Sequence, residues 1–280
     1  MALGGFDEGQ TRDADNPFFS SEQKYDFWSD AHCLAAEQLD FALNSDAPLT
    51  LFIGPEGSGK TTVIRKVASE TNSKRLIGTL SHYSILESTP RAAIFRALGA
   101  SAPRSNTDLD KTTFDATMTR ANMQHGLPAL VIDDADNVQA STLQRLFDIC
   151  ATTQEGLLVK LVLVGREDFD DKLNPEIRSL YSPVVKLGLM SEEDTSDYVH
   201  HRCAVAGFKT MPFTPKALKE LYLVSQGNPL ILNVACMVAL DEARRKRQPI
   251  IDSDQIKRCC AKEGIRANTF VFASSRSAKK

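Results

Sequence analysis

Residues 48–62 read PLTLFIGPEGSGKTT. An apolar run of strand length is followed by a stretch with three glycines, and then by a lysine and two threonines that open a segment with helical apolar spacing. The predicted order is strand, loop, helix. Gly54–Thr61 match G-x-x-x-x-G-K-[ST] at every fixed position, in the context this motif requires. Glycines let successive backbone N–H groups turn inward around a phosphate, and the helix N-terminus adds partial positive charge. The expected phosphate-binding set is therefore Gly54, Pro55, Glu56, Gly57, Ser58, Gly59, Lys60, Thr61 and Thr62. Lys60 is expected to reach the β- and γ-phosphates of a nucleotide, and the Thr61 hydroxyl to hold Mg²⁺.

A second stretch, ALVIDDAD at 129–136, supplies what such a site needs next: a buried strand that delivers acids at its carboxyl end. Asp133 is the expected Mg²⁺ partner, through water. Asp134 stands where a base would orient the attacking water, with Asp136 close behind.

Apolar runs at 75–80, 158–165 and 183–189 add strands, and segments at 90–99, 112–126 and 138–150 add helices. Fully apolar strands alternating with helices predict an α/β fold, a parallel sheet covered on both faces. From 191 onward the pattern is purely helical, over 191–206, 214–227, 228–247 and 252–264. Each of these segments has a Ser, Thr, Asn or Asp at its start, suited to capping. The expected organisation is a flexible N-terminal segment (1–15), a nucleotide-binding domain (16–190), a helical lid (191–267) and a basic flexible tail (268–280).

Composition agrees with a globular chain. Of 280 residues, 42% are hydrophobic and 25% charged, and the longest apolar runs are far short of a bilayer span. The start has neither the basic nor the apolar part of a signal peptide, so a cytoplasmic location is expected. Six cysteines without CxxC spacing are read as free thiols, and His200–His201 as neighbours on different helix faces rather than metal ligands. Charge is uneven: residues 1–50 hold ten acids and two bases, whereas 241–280 hold eleven bases and five acids. The basic C-terminal region, ARRKR at 243–247 with IKRCCAK and RSAKK, suits nucleic-acid phosphates or a solvated helix end favoured by the helix dipole. Phe18, Phe19, Phe27 and Trp28 are expected to stack on a base or to pack the N-terminal segment onto the sheet domain.

Five stretches in order carry a resemblance: NPFFSSEQ (16–23), GPEGSGKTT (54–62), LVIDDADNV (130–138), LVLVGREDFDDKL (161–173) and FTPKALKELYLVSQGNPLILN (213–233). Over roughly residues 16–262 the chain resembles the ExeA/GspA-type ATPases of the AAA+ superfamily, and it is also similar to the TniB and TnsC transposition ATPases. The resemblance implies a P-loop AAA+ parallel sheet with a small C-terminal helical lid domain. It also implies ATP and Mg²⁺ as ligands, and self-association into a ring or filament in which a neighbour supplies an arginine finger. Arg178, in NPEIRSLYSP, occupies the position where this group tends to place that arginine.

Two residues depart from the group's pattern. Asp134 stands where glutamate is usual, and Leu230, in GNPLILN, replaces the arginine of G-x-P-R-x-I-N. Arg166, just after LVLVG, is either a compensating cation or a surface ion-pair member. The secretion members also carry a transmembrane helix and a peptidoglycan-binding region, which are not seen in these 280 residues. A stand-alone member nearer the transposition type is therefore expected. Two functions remain: an ATPase, slow or partner-stimulated, that regulates assembly of a partner protein or DNA complex, and an ATP-gated scaffold on DNA with little hydrolysis.

Overall fold

A computed structural model describes residues 16–19, 24, 26–71, 75–81, 89–99, 110–151 and 157–266. The expectations for 1–15 and 268–280, including RSAKK, lie outside the described residues. The rest divides into two compact units: His32–Gly188, and the described residues up to Ala31 together with those from Leu189 on.

The first unit is built on five parallel strands, β1 (Leu49–Ile53), β2 (Ile77–Ser81), β3 (Ala129–Asp133), β4 (Lys160–Gly165) and β5 (Tyr181–Lys186), in the order β2-β3-β4-β1-β5. All residues of β1 and β4 are buried, which is why they read as continuous apolar runs rather than alternating ones. Leu51 pairs with Leu163, and Leu163 with Ile132, so the carboxyl ends of β1, β4 and β3 finish along one edge. That edge carries the glycine loop and the acids.

The described helices of this unit are α1 (Asp30–Asn44), which begins just before the boundary, α2 (Lys60–Thr71), α3 (Pro90–Ala97), α4 (Lys111–His125), α5 (Ala140–Cys150) and the short α6 (Pro175–Arg178). Ile94, Phe95, Phe114, Met118, Leu143 and Leu146 pack against strand residues in one apolar core. Asp110 caps α4 by accepting from the Thr113 amide.

Helix α1 is absent from the sequence expectations. It buries His32, Ala35, Ala36, Leu39, Ala42 and Leu43, a stripe at helical spacing. Its far end is held by an unusual partner. Lys160, first residue of β4 and fully buried, directs Nζ at the carbonyls of Ala42 (2.7 Å), Leu43 (3.3 Å) and Ser45 (2.5 Å), and Arg75 also donates to Leu43. Carbonyls at a helix C-terminus lack helical donors and carry partial negative charge, so the buried Lys160 and half-buried Arg75 satisfy them and favour the dipole. Burial lowers the Lys160 pKa to about 8, with Arg75 adding to the effect and Asp46 opposing it. Lys160→Met leaves the Ala42 and Ser45 carbonyls without this donor, while Leu43 keeps Arg75, and is expected to destabilise the chain by about 3 kcal/mol, read as a lower urea midpoint at unchanged slope. An unchanged midpoint would show that the cation is dispensable.

The second unit holds α7 (Glu192–Val205), α8 (Pro215–Ser225), α9 (Pro229–Arg245) and α10 (Ser253–Glu263). Ser191, Thr214, Asn228 and Asp252 cap them in turn, and Ser191 with Asp194 closes a reciprocal capping box. Gly227, at φ 76°, lies so close to the linker that an added Cβ would meet the Met190 carbonyl oxygen at 1.9 Å. Only glycine allows this approach, which lets the Met190 amide donate to the Gly227 carbonyl.

The N-terminal segment belongs to this helical unit, which corrects two expectations. The sequence expectation groups residues 16–31 with the nucleotide-binding domain and gives Phe18 and Phe27 a place on the sheet domain or a base. Instead Phe18 meets Phe213 edge to face at 6.2 Å, and Phe27 meets Tyr198 likewise at 5.8 Å. Asn16 Nδ2 donates to Asp241 and to the Met237 carbonyl, while buried Arg202 donates to the Pro17 carbonyl at 2.8 Å and lies over the Phe18 ring. Apolar burial and a desolvated cation account for the preference. Phe19 is 69% exposed.

Candidate functional site

The loop Gly54–Gly59 leaves the end of β1 and runs directly into α2, whose first residue is Lys60. Each turn has a visible cause. Gly54 is buried against the chain, and a Cβ there would come 2.4 Å from the Leu187 carbonyl oxygen. Gly57 and Gly59 have φ of 75° and 102°, values that side chains disfavour. Pro55 accepts from the Ser58 amide, Glu56 is exposed, and Gly59 accepts from the Thr62 amide as the helix starts. Ser58 is buried, and its Oγ has no hydrogen-bond partner among the described residues.

Lys60 Nζ donates to the carbonyls of Gly54 at 2.8 Å and Pro55 at 2.9 Å. Loss of hydration lowers its pKa, opposed by the charges of Asp133, Asp134, Asp136 and Glu56. The first three of these acids come from the end of β3 and the turn after it. Thr61 Oγ1 donates to Asp133 Oδ2 at 2.8 Å, and Asp133 Oδ1 accepts from the Asp134 amide at 3.1 Å. Both Asp133 oxygens are thereby oriented, one by the helix and one by its own turn.

Asp134 is exposed and left-handed (φ 54°, ψ 40°). A non-glycine residue in this region is uncommon, although aspartate tolerates it better than most, and such strain clusters at functional turns. Asp136 accepts from Arg166 Nε at 2.6 Å, and its side chain is only 3% exposed. The cation after β4 is therefore an ion-pair member that ties the turn after β3 to the end of β4. Asp136 could supplement Asp134 as a base only by giving up that pair.

The structure thus brings together Lys60, Thr61, Asp133 and the turn at Asp134. It does not join Arg178 to them. Arg178, at the end of α6, donates to Asp170 at 3.2 Å and Asp171 at 3.1 Å, and Asp170 also accepts from the Tyr181 hydroxyl. These carboxylates raise its pKa further. Leu230 lies in the first turn of α9, in the other unit.

The residues present fit a nucleotide phosphate with a divalent cation. Thr61 Oγ1 and Asp133 Oδ2 are oxygen donors of the kind Mg²⁺ takes, already within 2.8 Å of each other. Beside them the glycine turns and an ammonium group offer donors to anionic oxygens.

A parallel sheet, a glycine loop entering a helix and an acid at the end of a nearby strand define the P-loop class, and within it residues 43–173 match the family model described as an AAA domain. The chain is an AAA+ protein, and members of that family are generally ATPases that use ATP with Mg²⁺. One similar protein is General secretion pathway protein A of Aeromonas hydrophila, 30% identical over an alignment of 233 residues that covers 80% of this chain and 42% of the relative. The resemblance to the ExeA/GspA group is thereby borne out, and the chain spans less than half of that relative's length. Among solved structures, Cdc6p of Pyrobaculum aerophilum shares the fold at a TM-score of 0.69 and 17% identity, covering 89% of this chain and 70% of that one. The ORC2 protein of Aeropyrum pernix, in ADPNP–ADP complexes, gives 0.59 and 14%, covering 86% and 71%. The RuvB Holliday junction branch migration motor of Thermotoga maritima gives 0.55 and 18%, covering 82% and 66%. Among the described residues no helix is long and apolar enough to cross a membrane.

The sequence expectations missed His32, whose Nε2 lies 3.0 Å from the Ser58 carbonyl oxygen. The available signal was the apolar spacing of Ala35, Leu39 and Leu43, which extends back through position 32.

Proposed function

We propose that this chain binds ATP at Gly54–Thr62 and hydrolyses it, with the chemical energy used to control assembly of a partner protein or DNA complex. The observation that carries this reading is the 2.8 Å contact between Thr61 and Asp133 immediately beside Lys60. Lys60 and the loop amides offset phosphate charge, Thr61 and Asp133 hold the cation position, and Asp134 orients the attacking water. Bound Mg²⁺ would neutralise phosphate oxygens as charge develops in the transition state. The ORC2 structure, with its adenine nucleotides, supports the choice of ligand.

Arg178 acts on a neighbouring subunit's nucleotide in a ring or filament. Asp170 and Asp171 hold its side chain in an exposed position, so engaging a neighbour means exchanging those carboxylates for phosphate. Arg178→Ala is expected to lower turnover by at least about tenfold while ATP affinity stays within about twofold. Unchanged turnover in assembled protein would remove the assigned role.

A second reading, an ATP-gated scaffold on nucleic acid, draws on the helical unit. Arg245, Lys246, Arg247, Lys257, Arg258 and Lys262 are exposed near the end of α9 and along α10. Clustered bases of this kind bind phosphate backbones with strong salt dependence. The short Asp134 side chain favours slow hydrolysis and keeps this reading open.

A further inference from the structure

The loop residues make the phosphate contacts in the reading above, but something must hold the crest of the loop in place. Two observations meet at His32. It is 4% exposed, in the first turn of α1, and its Nε2 lies 3.0 Å from the Ser58 carbonyl oxygen. The same nitrogen would stand 2.6 Å from a Cβ added at Gly59. A carbonyl only accepts, so Nε2 carries the proton in this contact. Across a trans peptide the C=O of one residue and the N–H of the next point in opposite directions. By drawing the Ser58 carbonyl towards itself, the imidazole turns the Gly59 N–H away from itself. Gly59, at φ 102°, is the residue immediately before Lys60.

The ring is also firmly delivered. His32 lies on the inward stripe of α1 with Ala35, Ala36 and Leu39, and the far end of that helix is held by Lys160 and Arg75. A helix buried along one face and held at its C-terminus has little freedom to withdraw the imidazole from the loop.

We infer that His32 is a positioning residue of the phosphate loop. Its Nε2–H bond to Ser58, and its ring filling the space beside Gly59, hold the Gly59 N–H in the direction in which it donates to a nucleotide phosphate. His32 has this role only if the loop takes a nucleotide, as proposed above. It also fixes the crest residue as glycine, because the imidazole occupies the volume of any side chain there.

The test is titration calorimetry of the full chain with ATP and Mg²⁺, on wild type and the His32→Ala, His32→Gln, His32→Asn and Lys60→Ala variants, with thermal unfolding midpoints recorded for each. Glutamine carries an amide N–H at about the reach of Nε2, whereas asparagine falls short. The expected result is wild-type affinity for His32→Gln within about threefold, and about tenfold weaker binding for His32→Ala and His32→Asn at closely similar unfolding midpoints. Wild-type affinity in the alanine and asparagine variants, or equal loss in glutamine and asparagine, would overturn the role. Losses that merely follow the unfolding midpoint would also overturn it. If His32→Ala does not fold, the glutamine–asparagine pair decides alone. Failure of the underlying nucleotide reading looks different: wild type binds no ATP, or Lys60→Ala binds as wild type does, and the positioning role falls with it.

Discussion

Replacing Lys60 with alanine is expected to weaken ATP binding by at least about 100-fold while leaving the fold intact. The ammonium lies at the base of the loop, donating to the Gly54 and Pro55 carbonyls, and four carboxylates stand close enough to influence its charge. Without it, Asp133, Asp134 and Glu56 face an incoming polyphosphate with no side-chain cation on the loop to offset them, and only Asp136 keeps a cation, Arg166, beside it. Burial already disfavours the charged amine, so it gains more from phosphate than a fully solvated lysine would. Fluorescence titration with a labelled ATP analogue, alongside circular dichroism to confirm folding, measures the effect. Affinity in Lys60→Ala within about threefold of wild type would place nucleotide binding elsewhere.

Asp134→Ala is expected to lower the rate of ATP hydrolysis by about 100-fold or more, with ATP affinity unchanged or slightly improved. The residue follows the strand end that positions Asp133, and its left-handed backbone sets the course of the turn into the short 3₁₀ segment Ala135–Asn137. Removing its carboxylate deletes the group assigned to the water and takes one negative charge away from Lys60. The predicted signature is therefore loss in kcat without loss in binding. Asp136 is a poor substitute while Arg166 holds it at 2.6 Å. Equal turnover in wild type and variant would show that Asp134 has no part in the chemistry.

How far the sequence foretold this arrangement differs from element to element. The glycine loop was legible because its chemistry is local: a turn that needs left-handed residues and a helix start that needs no side chain in the way leave a fixed spacing. Strands β1, β3 and β4 were legible because burial on both faces leaves them largely apolar, and the caps at Ser191, Thr214, Asn228 and Asp252 because a cap is a contact between near neighbours. Contacts made across space were not legible. Nothing near position 160 announces that a lysine inside an apolar strand holds the end of a helix more than a hundred residues earlier. The pairing of His32 with Ser58, and of Asn16–Phe18 with the helical unit, depends likewise on tertiary packing. Asp134 was visible as a residue type, but its left-handed backbone was not, since aspartate occupies ordinary conformations far more often.

The similar solved structures share the fold, and the printed names of the similar proteins range from secretion to Holliday junction migration, so the part played by this chain rests on its own chemistry. What sets the proposed ATPase apart from a scaffold is catalysis at the Lys60–Thr61–Asp133–Asp134 site. Its most direct test is single-turnover phosphate release from ATP by the wild-type chain with Mg²⁺, at rising protein concentration and with or without duplex DNA. Phosphate release that requires Mg²⁺ and accelerates as subunits or DNA are added is the predicted result. Tight ATP binding with no phosphate released under any of these conditions would contradict it and leave an ATP-gated scaffold in its place.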